Sequence, residues 1–373
     1  SHILTLQSNL KGKNKISSAP HYGEPNLIRK YASIIIVGRG GTKMAKGKPQ
    51  NKRKKSVSYE KYGYLFILPF FLVYFIFQLY PLLSTFYYSL FTYQKRNLNE
   101  TIEFSGLLNF GKLLGLVKGE APYFLKYLGN TVIMWMGGFI PQIIVSLLLA
   151  AWLTNTIVKV KGAGAIKILT YMPNIITAAS VSVLFNALFA QYGPITLLLK
   201  KMGILASDFN FMYSVVGARG IISFILFWMW YGNTTLLLIS GMMGINPSLY
   251  EAAEIDGANG RQSFFKITVP LLKPILLYTL VTSAVGGLQL YDIPSLFNVN
   301  GSSMSGGPDD STTTVAMYIM RLYNQDTGRA AAVSVMLFII TLIVSIILFK
   351  SMEDKDAKLE EKQKKMQMKA KRG

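Results

Sequence analysis

The sequence contains no cysteine and two histidines, His2 and His21, both near its start. Disulfides, thiolate metal sites, iron–sulfur clusters and cysteine nucleophiles are therefore excluded. A histidine-based catalytic or metal centre in the body of the chain is excluded as well. Charge is scarce too: 15% of the 373 residues are Asp, Glu, Lys or Arg, against about 25% in ordinary soluble chains. With 51% hydrophobic residues, the chain lacks the polar groups to cover the roughly two or three soluble domains its length would allow. It also lacks a Gly-x4-Gly-Lys-Ser/Thr loop. The nearest approach, Gly41 to Gly47-Lys48, has the wrong spacing and runs into Pro49, so no ATP binding by this chain is expected.

The charge that is present is lopsided, 39 Lys and Arg against 18 Asp and Glu, for a net +21. Such an excess suits nucleic acid, a membrane surface or membrane topology, and its location decides among them. Residues 1–63 hold 14 basic and 2 acidic side chains, residues 350–373 hold 9 and 5, and the long middle holds 16 and 11. The excess is mostly terminal. The middle is divided into uncharged windows. There are 33 residues between Lys61 and Lys95, 32 between Lys126 and Lys159, and 32 between Lys167 and Lys200. A further 31 separate Arg219 from Glu251, 18 separate Lys273 from Asp292, and 20 separate Arg329 from Lys350.

A helix needs about 20 apolar residues to cross a bilayer. Six transmembrane helices are therefore expected, near 65–89, 130–153, 168–190, 220–243, 274–293 and 330–350. A soluble core would need amphipathic helices to cover them, and six such windows leave none. They are too long and too continuously apolar for the alternating strands of a barrel. Pro69, Pro81, Pro141 and Pro173 fit as kinks that neighbouring helices satisfy.

Placing the N-terminus in the cytoplasm puts 29 Lys and Arg inside and 10 outside, which favours N-in, C-in. The internal loops alone give 6 against 10, so the termini carry this assignment. Met44-Ala45-Lys46-Gly47-Lys48 reads like a bacterial start, and the codons for Gly38-Arg39-Gly40-Gly41 would be G-rich, as in a ribosome-binding site. Residues 1–43 are accordingly expected to be a non-native translated leader or a disordered extension. Residues 44–63 read as a basic cytoplasmic anchor that touches anionic lipid; they lack the aromatic interleaving of a nucleic-acid-binding segment. Residues 351–373 read as a charged cytoplasmic tail.

The loop after the fourth window, 246–270, differs from the others. Asn246-Pro247 can open a short helix. Glu251 and Glu254 would lie near its positive end. Ala252 and Ala253 let another surface approach, and Asp256-Gly257 and Asn259-Gly260 allow a turn or a helix stop. A second helix is expected from Arg261 through Phe264, Phe265 and Ile267 to Pro270. The residues describe a surface helix presented to a cytoplasmic partner.

Glu251-Ala252-Ala253, then Gly257, then Ile267-x-Val269-Pro270 resembles the EAA loop of ABC importer permeases. Its spacing is matched throughout, with Val269 in place of leucine. Tyr171-Met172-Pro173, Tyr192-Gly193-Pro194-Ile195 (with Thr196 where the pattern has Asn), Gly306-Gly307-Pro308 and the run from Gly328 to Ser334 resemble the carbohydrate-importing subgroup. The resemblance covers about 62–350 and is to the first permease of maltose and glycerol-phosphate type systems.

The resemblance implies an all-α polytopic type I permease fold with six spans, in a bacterial cytoplasmic membrane. It implies no catalytic or metal site and no cofactor in this chain, ATP and Mg²⁺ being bound by a partner ATPase dimer. Glu251, Ala252, Ala253 and Gly257, with Ile267 and Pro270, would form the coupling element against that ATPase. The path would form with a second permease and carry a sugar or oligosaccharide. An external binding protein would deliver it to the loops at 92–127 and 294–328. Polar and aromatic candidates along the path are Gln142, Asn186, Trp230, Asn233, Gln289, Tyr291 and Asp292. Each could instead serve helix–helix hydrogen bonding. A carboxylate at a helix centre costs about 3 kcal/mol, so Asp292 is expected at a span end or in a wet cavity. The alternatives are a charged cargo such as a phosphate ester, or an ion-coupled secondary transporter. The latter would want charges deep in the spans and inverted repeats.

Overall fold

The computed structural model describes residues 60–96, 99–155, 160–297, 306–352 and 366. The expected leader at 1–43, the basic segment up to 59 and the tail beyond 352, apart from 366, lie outside the described residues. The chain divides into two units between Tyr64 and Leu65. Of the first, only the opening turn of a helix is described; all other described elements belong to the second.

α1 (Glu60–Tyr74), a π-helical turn (Phe75–Leu79) and α2 (Tyr80–Ser89) come first. Pro81 has no N–H for the carbonyl one turn earlier, and the π turn sits at that defect. β1 (Phe91–Arg96) and β2 (Asn99–Phe104) form an antiparallel hairpin with Phe91 opposite Phe104, and α3 (Leu108–Leu113) comes next. Then come α4 (Tyr123–Leu153), α5 (Ala163–Ile175), α6 (Ala178–Phe189), α7 (Pro194–Lys201) and α8 (Val215–Met243). A cluster of short pieces leads on: α9 (Ser248–Ile255), α10 (Gly260–Ser263), a π turn (Phe264–Thr268) and α11 (Val269–Leu271). α12 (Lys273–Leu288), α13 (Asp292–Phe297), α14 (Val315–Tyr323) and α15 (Thr327–Met352) complete the described chain.

Five stretches among the described residues are long and apolar enough to cross a membrane: Tyr62–Ser89, Tyr123–Leu153, Ala178–Lys201, Val215–Met243 and Thr327–Ser351. Gly260–Leu271 and Lys273–Leu288, bent by 62°, make a sixth if taken as one. Two expected spans are corrected. The third, 168–190, is not one helix: Ile176 and Thr177 are extended, with ψ of 138° and 143°. Thr177 then caps α6 by accepting the N–H of Ser180. An uncharged window reports apolar content and not backbone conformation, and Pro173 lies in the last turn before the break. The fifth, 274–293, leaves the helix after Leu288 and resumes at Asp292.

Three apolar clusters hold the spans after the first together. One joins α3, α4, α12, α14 and α15 through Phe124, Tyr127, Leu288, Val315 and Val333. A second joins α4, α6, α8 and α13 through Met134, Val181, Ile222, Ile225 and Phe297. The third joins α4, α8 and the bend before α12 through Ala150, Leu238, Met242 and Leu272. α8 is the central element; half of its apolar window is buried, against none for the first span. Close approach is set by small residues, as expected where helices gain no hydrophobic drive from lipid. A Cβ at Gly232 would lie 1.9 Å from the Thr170 carbonyl oxygen, so the backbones of α5 and α8 meet there. Ser146 Oγ donates to the Tyr231 carbonyl at 2.8 Å, and Asn174 Nδ2 donates to the Met229 carbonyl at 3.2 Å.

The segment ahead of α14 is clamped by a charged network. Asp309 and Asp310 both have left-handed backbones, with φ of 54° and 55°, which costs roughly 1–3 kcal/mol per residue. Arg321 Nη2 donates to Asp310 Oδ1 at 3.0 Å, and the Tyr127 hydroxyl donates to Oδ2 at 3.1 Å. Asn130 Nδ2 donates to the carbonyls of Asp310 and Thr313, and Arg219 holds Asn130 Oδ1 at 2.6 Å and the Ser311 carbonyl at 2.9 Å. Burial pushes the Asp310 carboxyl up. The hydrogen bonds and charge of Arg321, with the Thr313 and Tyr127 hydroxyls, outweigh burial and hold it below its ordinary value.

Because the folded value is depressed, this stabilisation is complete above the ordinary carboxylate value of 3.8 and is lost as pH falls below it. In detergent, Asp310→Asn should lower Tm at neutral pH and show a smaller further fall on acidification than the native chain. Parallel Tm-against-pH curves would contradict this.

Candidate functional site

The loop after α8 builds one site. Asn246 Oδ1 accepts the Ser248 N–H at 3.1 Å, and Pro247 occupies the cap position, so α9 starts where Asn-Pro suggests. Its end is closed by two backbone bonds: Ala258 N–H to the Ala253 carbonyl at 2.8 Å, and Gly257 N–H to the Glu254 carbonyl at 3.0 Å. This closure requires Gly257 in the left-handed region, at φ +77°, where a glycine carries no Cβ penalty. Glu251 sits in the first turn, at the positive end of the helix. Glu254 does not. α9 has only eight residues, which leaves Glu254 in its last turn.

Glu251, Ala252, Glu254 and Gly257 are exposed and Ala253 is half-buried. Ile255 is 87% exposed, an apolar side chain presented without cover.

The second helix is more broken than expected. Asn259 and Gln262 form a reciprocal capping box, with Oδ1 accepting the Gln262 N–H at 2.9 Å and Oε1 accepting the Asn259 N–H at 2.8 Å. α10 then passes into the π turn holding Ile267, and Pro270 falls in α11. The Tyr250 hydroxyl and Thr268 Oγ1 meet at 2.9 Å, tying α9 to the segment that leads into α12. Leu272, at the bend, is buried against Ala150, Leu238 and Met242. A displacement of α9 therefore has a mechanical route to α12. Sequence reasoning missed the Tyr250–Thr268 tie, since no spacing pattern links residues on separate short helices.

A second site is a cleft of about 490 Å³ between α4, α8, α12 and α13. Six of the seven candidate path residues line it: Gln142, Trp230, Asn233, Gln289, Tyr291 and Asp292. The break after Leu288 brings the last three to its wall, since Gln289 to Tyr291 leave the helix. Irregular backbone at membrane depth is tolerated where it lines such a cavity. Gln142 is 7% exposed and its Nε2 donates to Thr234 Oγ1 at 2.7 Å, a tie between α4 and α8. Asn186 does not line the cleft. Its amide donates to the Phe297 carbonyl and fastens α6 to α13.

Sequence reasoning passed over Trp135, whose Nε1 donates to Ser283 Oγ at 2.9 Å, and the hydroxyls Thr279, Thr282 and Ser283. Their spacing on α12 put all three on one helix face, a legible signal.

The chain matches the family model for the binding-protein-dependent transport system inner membrane component over residues 113–350. It is 31% identical over 294 residues to the lactose transport system permease protein LacF of Rhizobium radiobacter, covering 78% of this chain and 93% of that protein. It is 30% identical to the arabinooligosaccharides transport system permease protein AraP of Bacillus subtilis, covering 77% and 87%. It is 29% identical to the trehalose/maltose transport system permease protein MalF of Thermococcus litoralis, covering 78% and 93%. Its fold is similar to a chain of a bacterial ABC transporter involved in the import of the acidic polysaccharide alginate. The TM-score is 0.64 at 19% identity, with 79% of this chain and 95% of that chain covered.

Proposed function

Since the chain belongs to the inner-membrane-component family of binding-protein-dependent transport systems, we propose that it is the permease subunit of an ATP-driven importer. It forms half of the path for a sugar or oligosaccharide. The cargo assignment is supported by the relatives, which are permeases for lactose, arabinooligosaccharides and trehalose or maltose. A second permease supplies the other half, and an external binding protein delivers the cargo. ATP and Mg²⁺ belong to an ATPase dimer on the cytoplasmic side.

The observation that carries this reading is α9, an exposed helix that stands beyond the end of α8 and ends on the left-handed Gly257. Glu251, Ala252, Ala253 and Gly257 contact the ATPase, with Glu251 facing a basic group. Ile267 and Pro270 continue the element toward the bend at Leu272. The N-terminus and C-terminus lie in the cytoplasm. The cleft residues Trp230, Asn233, Gln289, Tyr291 and Asp292 receive the sugar, aromatic faces against its ring and amides or carboxylate against its hydroxyls.

The test is reconstitution. The chain, purified with its second permease and ATPase into proteoliposomes, should take up oligosaccharide only with ATP and the external binding protein together. Uptake without ATP, or failure of any ATPase to co-purify, would contradict the reading.

A further inference from the structure

Among the described residues, the side chains lining the cleft include no Lys, Arg or His, and one carboxylate, Asp292. The basic residue on α12 is Lys273, at the helix start; it lies outside the lining, about 7.5 Å along the axis from Tyr278 and roughly 24 Å from the end that leads to Asp292. Arg219 is held by Asn130 and the Ser311 carbonyl. Removing an ionised group from water costs several kcal/mol unless an opposite charge meets it. An anionic cargo would find no such partner on this wall, and would face Asp292 as a like charge.

The polar groups that remain suit hydroxyls instead. The side chains of Asn233, Gln289 and Asp292 line the cleft and make no hydrogen bond among the described residues, unlike Gln142, which is tied to Thr234. Trp230, Tyr278 and Tyr291 add aromatic surface. The volume lies within the range of about 300–1,000 Å³ typical of small-molecule sites.

We propose that this wall selects uncharged saccharides and that Asp292 is the specificity-determining residue, accepting cargo hydroxyls and excluding uronates and sugar phosphates. The inference rests on the cleft being the transport path. It departs from the fold relative that handles an acidic polysaccharide, and it disfavours the phosphate-ester cargo left open by the sequence.

The test uses the complete complex in proteoliposomes with its binding protein. The probes are maltotriose and lactose as neutral sugars, and trigalacturonate and glucose 6-phosphate as anionic ones. Native complex should take up a neutral probe and neither anion. Asp292→Lys should raise KM for the neutral probe about tenfold, equivalent to ~1.4 kcal/mol. Asp292→Asn, which keeps the shape and an acceptor, should keep KM nearer the native value. Uptake of an anionic probe at the neutral rate, or a KM unmoved by Asp292→Lys, would overturn the proposal. Loss of ATP-driven uptake for every probe would instead overturn the sugar-importer reading beneath it.

Discussion

Gly232→Ala should sharply reduce the yield of folded chain, while Gly220→Ala on the same helix should leave it unchanged or higher. Both positions lie in α8, so helix propensity favours alanine at each by roughly 0.5–1 kcal/mol. The surroundings differ. At Gly220 an added Cβ meets nothing within 4 Å; at Gly232 it meets the Thr170 carbonyl oxygen at 1.9 Å and the Tyr171 Cα at 3.0 Å. Those are backbone atoms and cannot rotate aside. α5 would have to move off α8, disturbing the Asn174 hydrogen bond to Met229. Overpacking typically costs about 1–3 kcal/mol when side chains can yield, and a backbone clash should fall at or above the top of that range. Size-exclusion profiles of both variants in mild detergent check the prediction. Equal monodisperse peaks would show that α5 does not pack as described.

The contrast between these two glycines also marks what the sequence could and could not show. Uncharged windows located the spans because a bilayer tolerates few charges, and that constraint acts on composition alone. The break at Ile176 and Thr177 was invisible to it, since neither residue is charged, although Thr177 is of a type favoured at helix N-caps. Asn246 and Gly257 were legible because capping and turn chemistry are local and act within a few positions; Asn259, expected at a turn or stop, instead opens α10 through its reciprocal box with Gln262, which the sequence reading did not include. Glu254 falls at the wrong helix end for its expected role because the stop at Asp256-Gly257 leaves a helix of only eight residues. The Tyr127–Asp310 and Asn130–Asp310 bonds join residues far apart in the chain, and no motif announces them. Asn186 was read as a path residue because an amide in an apolar window is conspicuous; its partner is a backbone carbonyl on α13.

Glu251→Lys carries the second large effect. Glu251 is exposed in the first turn of α9 and makes no ion pair among the described residues, so its replacement should leave the fold intact. The positive helix end stabilises an acid there by about 0.3–1 kcal/mol, a small loss set against the spans. Against a basic group on an ATPase, however, the change converts attraction into repulsion. Breaking a hydrogen-bonded charge pair at an interface costs about 2–5 kcal/mol, so ATP-driven uptake should fall by more than about tenfold. The permease pair should still assemble. Uptake within twofold of native would show that Glu251 only starts the helix.

Contact between α9 and an ATPase on the cytoplasmic side is the claim on which the rest depends. The chain has no cysteine, so Ala252→Cys introduces a unique thiol on the exposed face of α9. Coupled to a photoactivatable maleimide in inside-out vesicles of the assembled transporter, it should cross-link to the ATPase subunit, and Glu251→Lys in the same chain should weaken the product. A thiol labelled from outside intact cells, or a probe that captures no ATPase, would contradict the account.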